Sequence, residues 1–102
     1  MKSISHEEMG ISFRLWQEIR ELARKREIGK VILFGSRARG DFRGKSDIDL
    51  AVSGGDGRGF SLDVEDMTWT LLSFDVVCLD RPVETALLKS IEKEGRVLYE
   101  KI

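Results

Sequence analysis

One cysteine, one proline and one histidine stand among the 102 residues. The lone cysteine, Cys78, excludes an intramolecular disulfide and fits a reducing compartment. It lies in the apolar run Val76-Val77-Cys78-Leu79, where packing is its expected role. The histidine, His6, sits in a polar stretch and is expected to be exposed. No apolar run approaches the length of a membrane span, and the first eight residues are too polar for a signal peptide. A cytoplasmic protein with no membrane attachment is the expectation. An excess of one charge is also missing: 17 basic against 18 acidic side chains leave a net charge of −1. A broad electrostatic grip on nucleic acid is therefore not implied. Internal repeats are absent.

The length bounds the rest. A chain of 102 residues is read as one domain, spanning 1–102. It buries one modest core and leaves little for a separate substrate-binding domain. An enzyme of this size needs a compact site or surface borrowed from a partner.

Apolar periodicity supplies the elements. Ile11, Leu15, Ile19 and Leu22 recur at helical spacing, which predicts a helix over 5–26 ending near Gly29. Trp16, beside them, is expected in the core or at a dimer surface. Residues 30–34 read as a buried strand, 47–52 as a second and 74–79 as a third. The glycine-rich stretch 53–59 reads as a flexible loop and 61–72 as a helix. Pro82 is expected to open a helix reaching Glu94. Residues 96–99 suggest a last short strand. The order points to an α/β fold in which a mixed sheet of three to four strands is flanked by helices.

Three acids carry the chemistry. Asp47 and Asp49 are two apart on a strand, so both carboxylates leave from one side. Ile48, Leu50 and Val52 then face the core. Adjacent carboxylates repel, and a divalent cation such as Mg²⁺ relieves that repulsion with hard oxygen ligands. Asp75 interrupts an otherwise apolar strand, which packing alone does not explain. With it, two ions about 4 Å apart would clamp the attacking and leaving oxygens of an in-line displacement. Asp75 is also placed to act as base toward the attacking hydroxyl. Gly35-Ser36 follows the first strand directly. There the backbone can approach a ligand, and the Ser36 hydroxyl and N–H suit phosphate oxygens. Arg37 and Arg39 are near enough to assist.

This arrangement makes a demand on topology. For Gly35-Ser36 and Asp47 to meet one triphosphate, the first two strands must be antiparallel. For Asp75 to join them, the second and third must be parallel, with residues 61–72 as the crossover. The glycine-rich stretch 53–59 then lies at the other end of the sheet. Gly40 to Ser46 mimics a Walker A loop but has one residue too few between its glycines. It also precedes a strand, where that motif must open a helix.

Phe34-Gly35-Ser36-Arg37-Ala38-Arg39-Gly40, then Ser46-Asp47-Ile48-Asp49-Leu50 with Asp75 downstream, resembles the minimal nucleotidyltransferases of the DNA polymerase beta superfamily. The resemblance implies a polymerase beta-like fold and a Mg²⁺-dependent enzyme using two ions. It implies transfer of a nucleoside monophosphate, usually AMP from ATP, to a hydroxyl with loss of pyrophosphate. Asp47, Asp49 and Asp75 become metal ligands and catalytic groups, and Gly35, Ser36, Arg37 and Arg39 nucleotide contacts. It also implies a two-component system, in which a small transferase is the antitoxin to a helical HEPN-type partner and some members modify a tyrosine on it. A homodimer is compatible. Two readings stand beside the enzyme: a non-catalytic module that neutralises its partner by contact, and, against the charge balance, a nucleic-acid-binding accessory domain.

Overall fold

The computed structural model describes residues 10–101. His6 and the expected first turn of the N-terminal helix lie outside them. The chain order is α1 (Phe13–Lys25), β1 (Lys30–Phe34), α2 (Ser36–Arg39), β2 (Ile48–Ser53), α3 (Gly57–Met67), β3 (Phe74–Cys78), α4 (Thr85–Glu94) and β4 (Arg96–Glu100). The strands form one sheet in the order β3-β2-β1-β4. β1 runs antiparallel to β2 and β4, whereas β2 and β3 are parallel, joined through α3. The topology demanded by the acids is thus the one observed.

The sheet is covered on both faces. Ile48, Leu50 and Val52 join Val31 and Leu33 against α1 and α3, which bring Leu15, Ile19, Leu22, Phe60 and Val64. The opposite face carries a smaller cluster of Phe34, Ala51 and Ile91, with Leu87 of α4 packed on it. Asp47 and Asp49 share this second face with Ala51, because strand side chains alternate.

Several boundaries differ from the sequence expectation, each for a local reason. α1 starts only after Ser12, whose side chain accepts the Leu15 N–H at 3.0 Å and caps the helix. It ends before Gly29. Glu27 takes the left-handed turn at φ 60°, with the Ile28 N–H returning to the Ala23 carbonyl and the Glu27 N–H to that of Arg24. α3 begins inside the glycine-rich stretch because Asp56 caps it by accepting the Gly59 N–H at 2.9 Å. α4 starts at Thr85, after Pro82. No helix among the described residues is long and apolar enough to cross a membrane.

Candidate active site

The site lies where β1 ends and β2 and β3 begin. Asp49 and Asp75 are register partners on adjacent parallel strands, so their side chains leave the same face side by side. Asp47 precedes the first residue of β2. Ile48, fully buried on the other face, separates it from Asp49. The three charges reach one another: burial first, then Asp75 and Asp47, push the Asp49 carboxyl above its ordinary range, opposed by Arg39 and Arg37. Asp47 and Asp75 are exposed and Asp49 half-buried.

Gly35 lies beside these acids. Phe34 pairs with Asp49 across the β1–β2 ladder, and the next residue turns the chain out of the sheet. Gly35 does so at φ 77°, a conformation that side chains rarely adopt. A Cβ at this position would collide with Oδ2 of Asp49. Ser36 then opens α2 and accepts the Asp41 N–H on its carbonyl at 3.1 Å.

Arg37 and Arg39 part company. Arg37 is only 1% exposed. Its guanidinium donates to the carbonyls of Ser46 at 2.9 Å, Gly10 at 2.9 Å and Gly44 at 3.4 Å, and stacks on Phe42 at 4.7 Å. Set against the expectation of phosphate contact, these partners give it the work of tying the 40–46 loop, and hence Asp47, to α2 and to Gly10. Arg39 is exposed and donates to Asp41 at 3.0 Å and Glu94 at 2.7 Å, linking α2 to α4. These carboxylates hold its guanidinium more firmly charged than usual. Glu94 and Phe42 entered the site's surroundings unannounced. An exposed-looking acid late in a helix and a loop aromatic carry no sequence signal of such a place.

The donor set suits a divalent cation: hard carboxylate oxygens, one of them strained by its neighbours' charge. Among the described residues no three acidic, histidine or cysteine side chains are already gathered tightly around an ion position. Mg²⁺ commonly takes only one or two protein carboxylates and draws its remaining oxygens from water and substrate phosphates.

The tryptophans and the cysteine follow bland roles. Trp16 is part-buried and its indole N–H donates to the Leu98 carbonyl at 3.0 Å. Trp69 is exposed beneath the Arg14 guanidinium. Cys78 packs against the larger core.

Known proteins resemble this chain in sequence and in fold. Residues 17–102 match the family described as Polymerase beta, Nucleotidyltransferase. A relative from Methanocaldococcus jannaschii, named "Putative protein adenylyltransferase MJ0604", is 35% identical over 81 residues, covering 71% of this chain and 79% of its own. Two solved structures are similar in fold. One is a toxin-antitoxin with AMP-PNP, at TM-score 0.69 and 23% identity, covering 84% of this chain and 73% of that one. The other is a mutant of the toxin-antitoxin MntA-HpeT, at TM-score 0.66 and 24% identity, covering 83% and 72%. With the match over residues 17–102 and the relative at 35% identity, on a sheet order and a set of acids that fit it, this chain belongs to the polymerase beta nucleotidyltransferase family.

Proposed function

We propose that the chain transfers AMP from ATP to a hydroxyl on a partner protein, as the antitoxin-like half of a two-component system. One observation carries the reading: Asp75 stands in register beside Asp49, with Asp47 two residues away and the Gly35-Ser36 turn against them. The adenylyltransferase name of the Methanocaldococcus relative supports the AMP group, and the toxin-antitoxin neighbours support a protein partner. The HEPN-type identity of that partner, like a cytoplasmic setting, belongs to the same proposal.

Each residue has a task. Gly35 and Ser36 seat the triphosphate through backbone N–H groups and a hydroxyl, with Arg39 at the flank. Asp47, Asp49 and Asp75 would hold two Mg²⁺ ions, which supply charge neutralisation on the phosphates and lower the pKa of the attacking hydroxyl. Asp75 takes the acceptor's proton. The acceptor oxygen bonds to the α-phosphorus while the bond from that phosphorus to the bridging oxygen breaks, and pyrophosphate leaves. Arg37 holds the loop that delivers Asp47.

The test uses ATP labelled at the α-phosphate, Mg²⁺ and the protein encoded beside this chain. Label should pass to that protein and be lost with Asp49→Ala. A second reading is a module acting by contact alone. It predicts a stable complex with no label transfer.

A further inference from the structure

The two margins of the sheet are treated differently. At β4 the register slips between Val31 and Ile32, leaving Leu98 as a bulge, and the Trp16 indole occupies the Leu98 carbonyl. Bulges and capped carbonyls are how proteins close an edge to further strands. β3, the opposite margin, has neither a bulge nor a proline.

Its hydrogen-bonding groups can be counted. The Ile48 N–H donates to Ser73 and the Leu79 N–H to Val52. The parallel ladder therefore spends the odd-numbered residues of β3 on β2. Phe74, Val76 and Cys78 point their N–H and C=O groups outward. Two of these six groups are satisfied within the chain: Glu65 accepts the Phe74 N–H at 3.0 Å, and the Cys78 carbonyl accepts the Arg81 N–H at 3.3 Å. The Phe74 carbonyl, both groups of Val76 and the Cys78 N–H remain without a protein partner among the described residues.

That remainder is self-complementary. Set two β3 strands antiparallel with Val76 opposite Val76 of a second copy. The Val76 groups then bond reciprocally, and each Cys78 N–H meets the Phe74 carbonyl of the other copy. The two groups left facing each other, the Phe74 N–H and the Cys78 carbonyl, are the two already capped. Four new bonds form and no capped group is asked to bond twice. The same pairing lays the Arg81 end of one strand against the Leu71 end of the other. Leu71 is fully exposed, with Trp69 and Met67 exposed beside it, so apolar surface flanks the joint.

We propose that β3 is the interface of a homodimer in which two four-stranded sheets join into one of eight strands. This proposal is independent of the transfer reaction, since it rests on backbone groups and not on the acids.

Sedimentation of the full chain across a range of concentrations tests it, together with amide hydrogen exchange. The chain should dimerise. The Val76 and Cys78 amides should slow as dimer forms, while those of Asp75 and Val77 stay slow throughout. Val76→Pro removes a donor that β2 does not use, so circular dichroism should be preserved while dimerisation weakens at least about tenfold. A chain that stays monomeric at every concentration overturns the proposal and leaves the edge to a strand of another protein. So does a dimer that survives Val76→Pro, or one that protects β4 amides and not those of β3. Should Val76→Pro fail to fold, the exchange pattern of the unaltered chain decides.

Discussion

Oδ2 of Asp49 occupies the space that a side chain on residue 35 would fill. The Gly35-Ser36 turn and the Asp49 carboxylate are therefore built against each other. Gly35→Ala would force an alanine into a backbone region open essentially only to glycine (φ 77°, ψ −157°), at about 1 to 3 kcal/mol, and displace the carboxylate as well. The expected outcome is a folded protein with melting lowered by several degrees and AMP transfer reduced at least ~100-fold. Thermal scans and label transfer measure the two effects separately.

Asp49 gives a pH-dependent prediction. Its folded-state pKa is raised, by burial and by Asp75 and Asp47. A raised carboxylate contributes stability in acid that is lost as pH rises through its folded value. Ion-free protein at neutral pH therefore carries a penalty that Asp49→Asn removes. The variant should melt at or above the temperature of the unaltered chain without Mg²⁺, yet transfer no label. Adding Mg²⁺ with a non-hydrolysable ATP analogue should raise melting of the unaltered chain and leave the variant nearly unmoved.

Arg37 should matter to folding before it matters to ligand. Arg37→Met keeps the bulk but strands the carbonyls of Gly10, Gly44 and Ser46. The expected cost is about 2 to 4 kcal/mol by urea denaturation. ATP binding should weaken less than transfer does, because the loop bearing Asp47 loosens while Gly35-Ser36 stays in place. An Arg37→Met chain with unchanged stability and abolished ATP binding would return this residue to the phosphates.

Asp63 of α3 accepts two bonds from Arg26, at 2.8 and 3.2 Å. The Arg26 hydrogen bond holds its carboxyl below the ordinary range, against the push of burial. A depressed carboxylate contributes stability above its unfolded pKa, lost as pH falls through the folded one. Asp63→Asn should lower melting at neutral pH. Acid titration should shrink the gap between variant and unaltered chain once pH drops below the usual carboxylate range.

Much of this was legible along the chain, and the parts that were not share a cause. The strands and the facing of Asp47 and Asp49 follow from alternation, a local property. The β1–β2–β3 directions followed once the acids and Gly35-Ser36 had to meet. Helix limits were less visible. Asp56 drew the glycine-rich stretch into α3, and Glu27 adopted a turn that Gly29 was expected to make. The engagement of Arg37 was hidden because its partners are main-chain carbonyls, which every residue carries. The bulge at Leu98 depends on how β4 meets β1, not on any residue type.

Along β2, Asp49 leaves on the face it shares with Ala51, while Ile48, Leu50 and Val52 pack into the larger core on the other side. On the proposed function, the chemistry and most of the larger core's share of this strand are thus written on alternate positions of a single segment. Drift that erased Asp47 and Asp49 would spare Ile48, Leu50 and Val52, and the scaffold would outlive its chemistry. Inert descendants of this enzyme should be common, keeping its shape and docking surfaces after turnover has gone.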